Sequence, residues 1–412
     1  MEEENQNVFI VTLYSFIPLQ RCPKGEYKEL MKDAPVVPPH RLVKYMDAKY
    51  CVVELKKDGC DFYFECNRKG TMQTLKVHLR AWLYHFSSVV NPLGRYYLAT
   101  TISIDKAFEH ESLHDSFGQD IICTSQDIVQ LKKASYGGCD TGLYNYDGSN
   151  RRSIQDYLNS LIERITGKNP NGRYGRYYAV DVCGVDFRIG NRIDGRNHLT
   201  DLYSEEYYGR EKKPYDEVIK HYQEFVYGLI YGNDNNCVIP NDTLDKTLKD
   251  SFSNNISERL FAGHKTVVFL HTHHPFPWKE SNNGRKRNLR QDVEHDQIIY
   301  DVLLVMEAKL KLKSIEESLQ SGYPKTIKDA LASISKYLSA NPYHLGEYGP
   351  RYKMLYKNMG INDLLESIKE QGNLVSDSKE IENNERLNKS VLWLTAITMI
   401  IGGLSLIVNI LR

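Results

Sequence analysis

The chain has no surplus of charge. Its 412 residues carry 53 Lys+Arg against 53 Asp+Glu, and the sequence pI is near 7.2. That balance argues against bulk coating of nucleic acid. Cysteine is sparse as a framework. The eight residues (Cys22, Cys51, Cys60, Cys66, Cys123, Cys139, Cys183 and Cys237) include no C-x-x-C pair and no regular staple spacing. Free thiols in a reducing compartment are expected, and a sulfur-rich zinc site has no support from spacing. The opening Met-Glu-Glu-Glu-Asn lacks the basic start of a signal peptide. No Gly-x-Gly-x-x-Gly or Gly-x4-Gly-Lys-Ser/Thr loop occurs, so ATP or dinucleotide chemistry lacks its usual mark. A Gly-x-Ser-x-Gly nucleophile elbow is also missing. Composition is otherwise globular, 41% hydrophobic and 26% charged, at a length of two or three folding units.

Long apolar runs are absent until the last residues. Ser390–Leu411 (SVLWLTAITMIIGGLSLIVNIL) is 22 residues without a charge. As a helix it spans about 33 Å, enough for a hydrocarbon core. Arg386 and Lys389 precede it and only Arg412 follows, so the expectation is a single-pass C-terminal anchor with the N-terminal bulk in the cytoplasm. The small and polar positions step regularly. Asn388, Val391, Thr395, Thr398, Gly402, Ser405 and Asn409 are spaced by three and four, a heptad seam along one helical face. Thr and Ser can bond the carbonyl one turn back. A regular seam in lipid is better explained by another helix or by water. Self-association or pore lining is therefore expected.

Arg386-Leu387-Asn388 followed by Leu394-Thr395-Ala396-Ile397-Thr398 resembles the entry to the first membrane helix of CorA-type divalent-cation channels. The resemblance covers about 25 residues. It implies a cytosolic α/β domain, a stalk helix, and self-associated membrane helices, tetrameric or pentameric. The family's Gly-Met-Asn signature and second membrane helix do not follow here, and Asn358-Met359-Gly360 reads in reverse order. What the resemblance implies is thus architecture rather than selective magnesium transport. CorA-like proteins with unusual soluble domains resemble effectors of bacterial antiviral systems, some switched by nucleotide messengers.

Upstream, residues 1–275 mix strand and helix patterns, an α+β or α/β domain. Val8–Ile17 reads as a strand. Tyr50–Lys56 and Cys60–Cys66 flank Asp58-Gly59 as a hairpin, and Met72–Phe86 has helical apolar spacing. Arg95–Ile104 and Asp120–Cys123 read as strands, and Ser153 opens a helix. Tyr177–Ile189 reads as a long strand or a hairpin folding near Gly184. Residues 276–389 read as a helical stalk containing Gln291–Gln320, Thr326–Ser339 and Arg351–Asn388, the last interrupted near Gly360 and Gly372. Residues 390–411 are the membrane helix.

Three constellations invite chemistry. In Lys265–Trp278 (KTVVFLHTHHPFPW), a persisting strand puts His271 and His273 on one face, suited to a divalent metal. A plain strand end before a proline turn explains the same residues. Asp181 and Asp186, five apart, fall on opposite faces of a continuous strand, and only a hairpin at Gly184 would pair them. Among 29 tyrosines several adjoin arginine, and Arg95, Arg173, Arg176 and Tyr177 are candidate nucleotide contacts. Half-buried packing explains such dipeptides equally.

The leading functional expectation is a membrane-anchored homo-oligomeric effector or channel-like protein whose cytosolic domain senses a ligand, with no catalytic residues assigned. A membrane-tethered, metal-dependent phosphodiesterase or nuclease using His271 and His273 is the alternative enzyme. A non-catalytic membrane adaptor is the third.

Overall fold

The structure is a computed structural model. It describes residues 6–37, 47–68, 71–88, 90–108, 123–136, 142–147, 150–168, 179–193, 196–201, 223–232, 239–252, 258–272, 289–320, 349–368 and 370–371. Its organising element is β1 (Gln6–Pro18), whose alternation decides the architecture. Val11, Leu13 and Ile17 enter one core, while Phe16, from the opposite face, enters another. A strand apolar on both sides must be covered on both sides. The protein accordingly has one 13-stranded sheet with helices on each face.

The strands after β1 are β2 (Val36–Val37), β3 (Lys49–Glu54), β4 (Cys60–Arg68), β5 (Thr71–Ser87), β6 (Arg95–Phe108) and β7 (Cys123–Thr124). They continue with β8 (Leu143–Asp147), β9 (Asn150–Ser153), β10 (Val180–Ile193), β11 (Arg196–Asp201), β12 (Glu258–Ala262) and β13 (Thr266–Thr272). The main path is β12-β13-β10-β1-β6-β5-β4-β8-β9. Among the described pairings only β10/β13 and β6/β7 are parallel.

The helices are α1 (Gly25–Lys32), α2 (Ser125–Tyr136), α3 (Ile154–Thr166), α4 (Gln223–Tyr231), α5 (Asn241–Lys249), α6 (Leu289–Gln320) and α7 (Gly349–Asn358). The first core lies under α2, α3 and α4, through Ile128, Leu131, Leu158, Leu161, Val226 and Leu229. Helix α3 shows why it starts where it does. The Ser153 hydroxyl accepts from the Asp156 backbone N–H, and Gly167, at φ 69°, closes the other end.

The second core is built by α6, α7 and residues 361–368, with Leu303, Met306, Leu355, Ile361 and Leu364 meeting Phe16, Tyr97, Val182 and Val267 of the sheet. Ile298 to Met306 is buried on every side of its helix. Such a helix belongs inside a fold. The helical residues beyond 276 that the structure describes are therefore the third layer of the sandwich and share its core. Helix 326–339, the break at Gly372 and the membrane run 390–411 lie outside the described residues. Among the described residues no helix is long and apolar enough to cross a membrane.

Three local expectations need correction. Met72–Phe86 is strand β5, not a helix. Leu75, Val77, Leu79, Ala81 and Leu83 alternate into the first core, and Tyr84 and Phe86 into the second. Burial on both faces filled the positions that had looked like a helical stripe. The Asp58-Gly59 hairpin does not form either. Strands β3 and β4 lie end to end along β5, joined by a 3-10 turn at Lys56–Asp58. Asp58 is held there by Arg164 (2.9 Å) and the Tyr27 hydroxyl (3.3 Å), and the buried Tyr157 hydroxyl donates to its carbonyl. Finally, β10 passes through Gly184 without folding back, so Asp181 and Asp186 stay on opposite faces.

Candidate functional site

Two buried carboxylates organise the faces of the sheet. On the first face is Asp181, 3% exposed, at the start of β10. Neither of its oxygens has a partner at hydrogen-bond geometry. Burial pushes its carboxyl up to about 6; the Lys132 ammonium, the facing Ser15 hydroxyl and Lys265 pull the other way. Lys132, on α2 and itself buried, donates to the Thr266 hydroxyl at 3.0 Å. Cys183 lies two residues along the same face, and burial pushes its thiol up to about 12, so it is inert as a nucleophile. Lys132, Asp181, Cys183 and Thr266 are at most 3% exposed, which leaves a substrate no way in.

On the second face Glu307 of α6 is 1% exposed. It accepts from Asn91 Nδ2 at 3.0 Å, from Arg95 Nε at 2.9 Å and from the fully buried Tyr97 hydroxyl. Desolvation and the neighbouring Glu307 charge hold the Tyr97 phenol well above its ordinary range. Six residues earlier on α6, Asp301 is paired with Arg351 and accepts from the Tyr352 hydroxyl at 2.5 Å, which ties α6 to α7. Lys309 completes the series. Its ammonium donates to the carbonyls of His264 (2.9 Å) and Met359 (2.8 Å), joining α6 to the β12–β13 turn and to the end of α7. Burial, with Lys265 and Lys313 nearby, lowers its pKa to about 8.

Of the nucleotide-contact candidates, the structure gives Arg95 a structural partner, Glu307, with its side chain 33% exposed. Arg173, Arg176 and Tyr177 lie outside the described residues, as do His273 and the seam Asn388, Val391, Thr395, Thr398, Gly402, Ser405 and Asn409. His271 is on β13, directly abreast of Asp186 on β10. Among the residues whose side chains are described, no group of three or more His, Cys, Asp or Glu is placed to hold a metal.

Sequence reasoning missed Glu307, Asp301 and Lys309. The available signal was a charge inside the apolar stretch of α6: Asp301 and Glu307 interrupt Ile298–Ala308, where only paired charges are tolerated. It also missed an aromatic group at the β4–β8–β9 end of the sheet. There Tyr63, Tyr144 and Tyr146 have ring centroids 5.5–6.1 Å apart, and the Arg151 guanidinium lies 4.2 Å from the Tyr144 ring centre. Arg151 is paired with Glu65, and Lys76 with Asp61, so the charges on this surface are largely matched within it. Comparison of the chain with family models, with curated proteins and with solved structures returned no match.

Proposed function

We propose that the protein is a membrane-anchored, homo-oligomeric effector of CorA-like architecture, in which the sandwich domain senses a ligand and the C-terminal helices act on the bilayer. The observation that carries the reading is the uncharged run Ser390–Leu411 with its polar seam at heptad spacing. The clamped third layer supports it. Glu307, Asp301 and Lys309 fix α6 and α7 to the sheet, and residues 361–368 continue on the same core. A displacement in the sheet is thereby passed to the chain that leads into the anchor. The ligand class is a small nucleotide messenger, as in bacterial antiviral defence, with Arg95, Arg173, Arg176 and Tyr177 as contacts. The domain belongs in the cytoplasm, with a tetramer or pentamer of anchors in the membrane. Thr398→Leu combined with Ser405→Leu removes two polar positions from the seam while keeping the run apolar. The expected result is loss of ion flux in liposomes with unchanged secondary structure; undiminished flux in the double variant refutes a conducting seam.

A second reading is a membrane-tethered metal-dependent phosphodiesterase or nuclease. It is favoured by one observation, the position of His271 near the carboxyl end of a strand that runs parallel to its neighbour.

A further inference from the structure

The second core covers only part of the second face of the sheet. It takes Trp82, Tyr84 and Phe86 of β5 and, among the described residues, none from β4, β8 or β9. The strands β5-β4-β8-β9 form an antiparallel end of the sheet, backed on the first face by α2 and α3 through Phe62, Phe64 and Leu143. Their other face is open. Along β5, Val77 and Leu79 enter the first core, whereas Met72, Thr74, Lys76, His78 and Arg80 alternate with them and are exposed. The register sets Tyr63 beside both Lys76 and Tyr144, and Tyr146 beside Arg151. The rings of Tyr63, Tyr144 and Tyr146 lie 5.5–6.1 Å apart pairwise, so they make one continuous aromatic patch, and Tyr146 is 51% exposed. Of the described side chains of these four strands on this face, Lys76, Arg80 and Arg151 are cationic against Asp61 and Glu65. That is a surplus of one positive charge in a chain whose net charge is zero, and His78 adds a second when protonated.

We infer that this open face binds single-stranded nucleic acid, with bases stacked on the Tyr63–Tyr144–Tyr146 patch and phosphates drawn to Lys76, Arg80 and Arg151. Rings offered to solvent on an open sheet stack on any base, and only a single strand has base faces free to meet them. The cations stand where a backbone would run. Lys76, His78 and Arg80 recur at every second residue of β5, about 7 Å apart, in the row next to Tyr63. Asp61 holds Lys76 (2.6 Å) and His78 (2.8 Å), and Glu65 holds Arg151 (3.0 Å), so these cations are kept upright on the face before a ligand arrives. Binding here is local and sequence-tolerant, which fits a chain without bulk positive charge. The face is separate from Arg95, whose guanidinium is held by Glu307, and the inference stands whether or not the membrane run self-associates.

The test is the fluorescence anisotropy of a labelled oligouridylate of about 12 nucleotides, titrated with the full chain in detergent. Saturable binding is expected. Its Kd should rise about 100-fold for a tenfold rise in salt, the slope of about −2 that three phosphate contacts give on a single strand. Tyr146→Ala should weaken binding about 5–150-fold, and Arg80→Gln should reduce the salt slope by about 0.7. Should Tyr146→Ala fail to fold, Tyr146→Leu keeps the apolar bulk without the ring and carries the same expectation. Tyr231→Ala, at an equally exposed tyrosine on α4 against the opposite face, should bind like the parent. Absence of binding overturns the inference, and so does equally tight binding of an RNA duplex of the same length. Binding that Tyr146→Ala and Arg80→Gln both leave unchanged also overturns it, and the rings are then a cross-strand packing set only.

Discussion

Replacing Glu307 by Gln tests how firmly the third layer is held to the sheet. The parent carboxylate accepts three hydrogen bonds, from Asn91, Arg95 and Tyr97, at a site 1% exposed. Glutamine keeps the shape but offers one acceptor oxygen, and its amide N–H₂ turns toward groups that are themselves donors. The Tyr97 phenol, fully buried, cannot fall back on water. Hydrogen bonds to a charged group are worth about 1.5–3 kcal/mol each, and breaking a buried charge pair costs about 3–5 kcal/mol. Arg95 is one-third exposed and recovers part of its hydration, which brings the expected loss to about 3 kcal/mol. At about 2–4 °C per kcal/mol for a large domain, Tm should fall by about 6–12 °C. Tyr97→Phe removes one donor and leaves the carboxylate two partners, so it should cost about 1.5–3 kcal/mol. The double variant should then cost less than the sum, with a coupling above about 0.5 kcal/mol. Urea unfolding followed by tryptophan fluorescence measures all three. A loss below about 1 kcal/mol for Glu307→Gln, or strict additivity with Tyr97→Phe, would refute the reasoning.

Two other perturbations have definite signs. Asp181 has a folded-state pKa of about 6, above its ordinary value of 3.8, so the folded chain binds more protons than the unfolded chain between those limits. Its contribution to stability is therefore fully unfavourable above pH 6 and is relieved as pH falls toward 4, by up to about 3 kcal/mol. Asp181→Asn should raise stability at pH 7.5 and flatten the pH dependence between 4 and 6; a destabilised variant at pH 7.5 contradicts the assignment. Gly360 has φ +73°, and an added Cβ would meet the His264 ring at 2.8 Å. Gly360→Ala should cost about 1–3 kcal/mol from the left-handed backbone and the contact together, read as a drop in urea midpoint. An unchanged midpoint would show that residues 361–368 are not seated as described.

Much of the sheet was legible. Val8–Ile17, Arg95–Ile104 and Tyr177–Ile189 are recognisable as strands from β-branched and aromatic content; the first two lie in β1 and β6 and the last, from Val180 onward, in β10, all adjacent in the sheet. Helix α3 could be read from Ser153 and its apolar spacing because a cap and a single buried face are local signals. Strand β5 could not. Its residues pack on both faces, and a run apolar on both sides has no unique period. The Asp58-Gly59 signal misled because Asp58 is used as a buried acceptor for Arg164 and Tyr27 rather than as a turn residue. The site was harder still. Glu307 is 210 residues from Tyr97, and no local pattern encodes the parallel pairing of β10 with β13. Arg95 and Asp181 were visible beforehand, the first beside Tyr96-Tyr97 and the second within the strand Tyr177–Ile189.

The proposed effector would join a three-layer sandwich domain to a self-associating membrane helix. Its most direct test is the mass of the detergent-solubilised full chain, set against a version ended at Asn388. A discrete tetramer or pentamer that collapses to a smaller species on truncation is the predicted result. A monomer in both would make Ser390–Leu411 a simple tether and contradict the proposed effector.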